Sequence, residues 1–380
     1  METDARKVGQ RVTIGVLAED PLEAVEGMTL DVMERPTSLG PREVLVEVRA
    51  AAVGWVDLIM ASGQYQHVPA PPYTPGLEYG GVVADVGAEV AHETLGREVL
   101  VDGLLAGPRS VGAYQRSGGF ATWAVVPVEA LRAVPSGLSL DEAVSFFGSY
   151  ETAYHCLVTR GGLKAGETVL VHGASGSTGL AAVHIAKAIG AIVIATGRSD
   201  DKLAVVKTQG ADAVVNCRAT EAGTNVRRFR DDVKALTGGA GVDVVYDGVG
   251  GDISLESLRC MKFGARFLVV GWAATPNVSP GKGLRGAPNA NQLPTNLIMM
   301  KGLTVMGCPM AIATHTDPSI RAPRVEALLR WVEAGQLRPY VSHRFALADF
   351  KDALRAKWRG DVIGACVLRP GANHGEARPI

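Results

Sequence analysis

VLVHGASGSTGLAAVHIAKAIGA, residues 169–191, is an apolar run, then a burst of Gly and Ser, then an apolar helical pattern. ETVLVHG reads as a strand and LAAVHIAKAIG as a helix. Between them lies Ala174-Ser175-Gly176-Ser177-Thr178-Gly179. A dinucleotide pyrophosphate needs a sharp reversal, bare backbone beside its phosphates and close helix–strand packing. Gly173 and Gly176 can supply the first two and Gly179 the third. The helix N-terminus adds amide donors and partial positive charge, and Ser175, Ser177 and Thr178 add hydroxyls. The bare alternative is a glycine turn that holds nothing. Strand, turn, helix and following strand in one register favour the dinucleotide.

The next strand selects the nucleotide. An NAD site carries Asp or Glu at that strand's end, about 20 residues past the turn, on the ribose 2′-hydroxyl. Here AIVIATGRSDDK places Thr196-Gly197 there, followed by Arg198, Ser199 and Lys202. A 2′-phosphate takes cations and hydroxyl donors, and a carboxylate would repel it. These residues point to NADPH; the plain alternative is surface charge at a helix start.

Working outward, apolar runs alternate with helical segments from about residue 150: DAVVNC, VDVVYDG, ARFLVVG and LTVMGC follow the first two strands. Runs this apolar suit strands buried on both faces of a parallel sheet. The expectation is a doubly wound α/β domain of the Rossmann type over 150–310. Residues 11–145 instead read as short β segments (RVTIGVLA, EVLVEVRAA, GGVVADVG, REVLVD, ATWAVVP) punctuated by Gly and Pro, with no long helical pattern. A tail of helix, strand, helix and strand (RVEALLRWVEAG, VSHRFAL, ADFKDALRAKW, GACVLRP) is expected to rejoin that first unit, so that 1–149 and 311–380 form one domain. The Gly-, Pro- and Asn-rich segment 271–296 reads as a lid or a surface insertion.

Composition narrows the class. With 380 residues the chain is long enough for two domains, and 47% hydrophobic with 20% charged residues is globular. A net charge of -1 argues against nucleic acid or an anionic membrane surface as a partner. The five cysteines, Cys156, Cys217, Cys260, Cys308 and Cys366, lie far apart, which fits neither a disulfide framework nor a zinc ribbon. No signal pattern opens the sequence and no long uncharged apolar run occurs, so a cytoplasmic protein is expected.

AAVGWVDLIMASGQY (51–65), PGLEYGGVVADVG (75–87), ETAYHCL (151–157), the glycine turn, VVYDGVGG (244–251) and GDVIGACVL (360–368) together carry a resemblance. The chain resembles the zinc-independent medium-chain dehydrogenase/reductases, in the quinone oxidoreductase (zeta-crystallin-like) branch. The resemblance implies a mostly β, GroES-like catalytic domain made from both chain ends, with the cofactor domain inserted between them. Zinc members carry Cys where Gly54 stands and His where Leu77 stands, plus a four-Cys lobe; no Cys falls between residues 1 and 155. Zinc needs thiolate, imidazole or carboxylate ligands. Glu78 alone is not a site, and His67 and His92 are lone loop histidines, so no metal is expected.

The resemblance also implies a hydroxyl at Thr152 near the nicotinamide, and approaches by Gly250, Gly271-Trp272 and Cys308-Pro309 at successive strand ends. Cys308 has no evident His base nearby and reads as a buried thiol. Tyr65 falls where enoyl-thioester reductases of the superfamily place a Tyr implicated in proton delivery; in this chain it is a donor or a pocket wall. Asp57 reads as a support for the neighbouring turn. Three positions depart from the family: Gly54 for Asn, Cys217 for a Tyr after the third strand, and Gly364-Ala365 for Gly-Lys.

Hydride transfer without a metal suits an acceptor that is already electrophilic, such as a quinone or an α,β-unsaturated carbonyl. The expected function is an NADPH-dependent reductase of such acceptors. The alternatives are a 2-enoyl-thioester reductase, with Lys282 and Arg285 as a basic entry path, and a non-catalytic NADPH-binding scaffold protein. A homodimer is expected from the resemblance.

Overall fold

The computed structural model describes residues 8–65, 68–219, 226–274 and 291–371. Within them the chain divides into two compact units. One holds the residues up to Ser145 and from Pro339 onward, the other those from Phe146 to Arg338.

The first unit opens with β1 (Val8–Thr13) and β2 (Thr29–Glu34), paired antiparallel around helix α1 (Pro21–Gly27). Asp20 caps α1 by accepting the Leu22 amide at 2.8 Å, with Pro21 following in the first turn, where its missing N–H is not needed. Then come β3 (Glu43–Ala52), α2 (Trp55–Ala61), β4 (Glu78–Val86), β5 (Glu98–Val101), β6 (Trp123–Pro127), β7 (Leu131–Ala133) and α3 (Leu140–Val144). α1 and α2 have seven residues each, too short to print a 3.6-residue period, which is why the sequence reads as strands and loops there.

The second unit starts with α4 (Phe147–Tyr154), which runs into a π-helical segment, His155–Arg160. There follow β8 (Thr168–Val171), α5 (Ser177–Ile189), β9 (Ile192–Gly197), α6 (Asp200–Thr208), β10 (Ala213–Asn216), α7 (Arg230–Leu236), β11 (Val242–Asp247), α8 (Asp252–Cys260), β12 (Met261–Val269), α9 (Thr295–Met300) and β13 (Thr304–Gly307). The six strands form one parallel sheet in the order β10-β9-β8-β11-β12-β13. β8, at its centre, is buried along its whole length. The reversal of order beside β8 is the switch point where open α/β sheets bind ligands.

α10 (Met310–Thr316) and α11 (Arg321–Glu333) belong to this same unit. This differs from the sequence expectation, which puts everything after residue 310 with the terminal domain. The tie that decides otherwise is a buried charge cluster on α4. The carboxylate of Glu151 accepts from Arg324 Nη2 at 2.7 Å and Arg321 Nη2 at 2.9 Å. Arg324 also donates to Thr314 Oγ1 at 2.8 Å. Glu151 and Arg324 are each 2% exposed. A contact between α4 and α11 at such sequence separation leaves no periodic trace.

The chain then returns with β14 (Val341–Ala346), α12 (Phe350–Arg359) and β15 (Ala365–Arg369). β15 lies between β14 and β3 in a seven-stranded sheet that continues through β4, β5 and β7, with β6 also on β3. Asp141 of α3, buried, takes Arg344 Nε at 2.7 Å and a bond from Arg369 Nη2, fastening the returning strands. No helix among the described residues is long and apolar enough to cross a membrane.

Candidate functional site

The glycine turn sits at the carboxyl end of β8. Gly173 takes φ +60, and its carbonyl accepts the Gly176 amide at 2.9 Å, closing the reversal. Gly176 is the N-cap of α5 and has no side chain to accept the first-turn amides. A Cβ on Gly176 would meet only the Gly173 oxygen, at 3.3 Å, whereas one on Gly179 would lie 2.2 Å from it. Gly179 is therefore required by packing and Gly176 is open. Such a cradle fits the pyrophosphate of a nicotinamide dinucleotide.

Two buried polar groups that carry no sequence signature of their own, or only a faint one, hold the strand ends around this cradle. His172 Nδ1 shares a hydrogen bond with Thr196 Oγ1 at 2.7 Å, and its Nε2 one with Ser257 Oγ at 2.6 Å. The ring thus ties β8 to β9 and α8, and burial lowers its pKa to about 4. Asp247, at the end of β11, accepts the Val249 and Gly250 amides at 2.8 and 2.9 Å and the Ser254 hydroxyl at 2.5 Å. An Asp directly before a Gly-Val-Gly-Gly turn is the available signal for it.

The expected contacts at later strand ends gather on this side of the sheet. A Cβ on Gly250 would lie 3.2 Å from the Trp272 Cα, and one on Gly271 3.3 Å from the Gly248 oxygen. Cys308 N donates to Val269 O at 3.0 Å, and Pro309 then caps α10. Thr152 donates its hydroxyl to Gly148 O at 2.7 Å, one turn back in α4, leaving its oxygen as an acceptor. At the end of β9, Arg198 is exposed, Ser199 is the N-cap of α6 and Lys202 is half-buried in its first turn. Asp200, the first carboxylate in sequence after β9, receives the Asn216 amide at 2.8 Å. Cys217 is buried, with its amide and thiol both on the Gly197 carbonyl. Most of the 271–296 segment, with Lys282 and Arg285, lies outside the described residues, as does His67.

In the first unit, Gly54 caps α2 and Asp57 is its third residue. The Asp57 carboxylate accepts the Gly54 amide at 2.8 Å and the Gly76 amide at 3.0 Å, joining the start of α2 to the PGLEYGG turn. Burial pushes its pKa up to about 7, against the pull of those two amides and Arg109. The supporting role expected for Asp57 agrees with this geometry. Tyr65 follows α2, half-buried; burial raises its pKa and Arg109 opposes the rise. Arg109, in a loop after β5, has a buried Nε without a hydrogen-bond partner, and no sequence signal marks it. Trp55 stacks on Trp358 of α12 at 5.3 Å and 6°.

Two family descriptions match the chain: "Alcohol dehydrogenase GroES-like domain" over residues 40–136 and "Zinc-binding dehydrogenase" over 177–320. With the six-stranded parallel sheet and its glycine turn, they place the chain among the medium-chain dehydrogenases/reductases, and it is an oxidoreductase. Within that superfamily it belongs to the quinone oxidoreductase family. It is 31% identical to Quinone oxidoreductase-like protein 2 of Rattus norvegicus over 86% of each chain. It is 27% identical to Quinone oxidoreductase of Homo sapiens over 82% of this chain and 84% of that one. A solved structure described as a probable oxidoreductase from Mycobacterium abscessus matches with a TM-score of 0.75 at 30% identity, over 96% of this chain and 99% of that one.

The second family description names zinc, and the donor set of this chain does not fit it. Gly54 has no side chain, and Leu77, 4% exposed, is part of the apolar core. Among the described residues no three His, Cys, Asp or Glu side chains come together to hold a metal ion.

Proposed function

We propose that this oxidoreductase uses NADPH to reduce a quinone or another activated α,β-unsaturated carbonyl without a metal. The observation that carries the reading is the open cradle at Gly176 beside a β9 end that bears Arg198 and no carboxylate. When bound, the nicotinamide cofactor supplies the hydride. The amides at the start of α5 receive the pyrophosphate, with Ser175, Ser177 and Thr178 as hydroxyl donors. Arg198, Ser199 and Lys202 receive the 2′-phosphate. Thr152, Gly250, Gly271, Trp272, Cys308 and Pro309 bound the nicotinamide end. An α,β-unsaturated acceptor spreads the arriving charge onto its oxygen, where a hydrogen-bond donor replaces the Lewis acid a simple carbonyl would need. Tyr65 is that donor, and for an alkene the proton source: a phenol is protonated at neutral pH, and burial shifts its pKa further up.

A homodimer through β13 belongs to the same reading. β13 is an edge strand, and Val305 on it, with Phe263, Met299 and Met300 on neighbouring elements, leaves large apolar side chains exposed. Five free cysteines support the cytoplasm as its compartment.

The test follows NADPH and NADH consumption against ortho- and para-quinones, simple enones and a crotonyl thioester, for the native chain and Tyr65→Phe. Turnover of quinones or enones with NADPH, and loss of the enone rate in Tyr65→Phe at unchanged NADPH affinity, is expected. Turnover confined to the thioester moves the assignment to enoyl-thioester reduction. Tight NADPH binding with no turnover makes the chain a scaffold.

A further inference from the structure

All five cysteines are free and buried, and two of them meet. The thiols of Cys156, in the π-helical segment, and Cys308, just after β13, lie close enough to perturb each other's titration. The two stretches are also fastened here: the Arg160 side chain, at the end of the same segment, donates from Nε to Gly307 O at 3.1 Å. The Cys308 sulfur lies 3.6 Å from Met306 O. Tyr246 of β11 places its hydroxyl close enough to feel the charge of both sulfurs, and that hydroxyl is buried without a hydrogen-bond partner. A π-helical turn is itself uncommon and concentrates at functional positions; in this chain it brings Cys156 to the sheet end.

We propose that Cys156 and Cys308 form a reversible oxidation site, closing to a disulfide with a hydroperoxide as oxidant. The charge asymmetry gives the order of events. The neighbouring Cys156 thiol, with help from Arg160, lowers the Cys308 pKa, while burial drives that of Cys156 well up. Cys308 is therefore the attacking sulfur. Its thiolate breaks the peroxide O–O bond, forming a sulfenic acid and releasing one oxygen as hydroxide or alkoxide, which takes up a proton. The Cys156 sulfur then attacks the oxidised sulfur. The S–S bond forms, the S–O bond breaks, and the Cys156 proton leaves with the hydroxyl as water. Two thiols are oxidised by two electrons in total, and the peroxide is reduced. To form the bond, the sulfurs must close to about 2.05 Å. The bond would staple the helix carrying Thr152 to the end of β13.

The full-length chain is reduced, desalted, treated with a small excess of hydrogen peroxide, quenched, and assayed by thiol titration in denaturant and by peptide mapping without reductant. The expected result is a fall from five thiols to three, one linked peptide pair joining Cys156 to Cys308, and full reversal by dithiothreitol. Cys308→Ser abolishes the link, and Cys260→Ala keeps it. Cys156 is fully buried, so if Cys156→Ser does not fold, the map of the unaltered chain decides. No thiol loss, a sulfinic acid on either cysteine without a link, or a link to any other cysteine overturns the proposal.

Discussion

Gly176 and Gly179 lie three residues apart in one turn, and the structure separates their tasks by distance. An Ala side chain at 179 would put its Cβ 2.2 Å from the Gly173 oxygen and 2.8 Å from its carbon, where ordinary contact begins at 3.4 Å. Both are backbone atoms, so the turn and the buried face of α5 must part by roughly 1 Å. Overpacking of this kind costs about 3 kcal/mol at the upper end. The helix preference of Ala over Gly returns about 1 kcal/mol. The net loss of about 2 kcal/mol lowers the melting temperature of a unit this size by roughly 4–8 °C. At 176 the same methyl touches one oxygen at 3.3 Å, and stability falls by less than about 1 kcal/mol. It does, however, occupy the space that the proposed function assigns to the pyrophosphate. A clash of about 1–3 kcal/mol there weakens NADPH roughly 5- to 150-fold, since 1.4 kcal/mol is tenfold. Calorimetric melting and fluorescence titration with NADPH measure both. Gly176→Ala that melts normally and binds NADPH within about twofold of the native chain would refute the placement of the phosphates. Gly179→Ala that melts unchanged would refute the packing argument.

Removing Arg198 and Lys202 together to Ala weakens NADPH by roughly tenfold or more and leaves NADH nearly unchanged, because each charge-assisted bond contributes about 1.5–3 kcal/mol before solvent screening; equal losses for both nucleotides would count against a 2′-phosphate contact. Glu151→Gln leaves two arginines facing a neutral amide, one of them buried, and costs about 3–5 kcal/mol, read as a fall in melting temperature of the cofactor unit; a shift of a degree or less contradicts the network. His155, His172 and His184 are each held near 4 by burial. An unfolded histidine takes its proton near pH 6.5, so between there and about 4 the unfolded chain binds protons that the native chain does not. Their contribution is complete above about pH 7 and is lost as pH falls. Asp57, raised to about 7, acts with the opposite sign, since the native chain takes up its proton first. Three groups against one give lower stability at pH 5 than at pH 7 in urea unfolding, and equal stability would contradict the burial of the imidazoles.

Much of the fold is legible in the sequence because it is local. The six strands of the parallel sheet print as apolar runs, and the turn at Gly173–Gly179 prints as glycines at fixed spacing. Gly54 and Leu77 can be read directly as positions without ligand atoms. What stays hidden depends on distance along the chain. His172 looks like any residue at a strand end until Thr196 and Ser257 fold against it. Glu151 gives no sign of Arg321 and Arg324, so the sequence alone ends the cofactor unit too early. Cys156 and Cys308 look like unrelated thiols until the parallel sheet brings the end of β13 beside the segment that follows α4. Arg109 sits in a Gly- and Pro-punctuated loop with no periodicity to mark it.

The position of β15 has a consequence for how the protein is made. Val367 and Leu368 pair with Ala52 and Ala51 of β3. The ribosome adds roughly 300 residues between those partners, which at about 5–20 residues per second takes on the order of 15–60 s. Throughout that interval the far end of β3 is an open edge, the kind of surface that recruits other strands. The cofactor unit, complete by Arg338, can be fully folded before the older unit is. The amino-terminal half is thus the first to emerge and the last to close, and its exposure to chaperones and to aggregation is set by the translation time of the domain inserted within it.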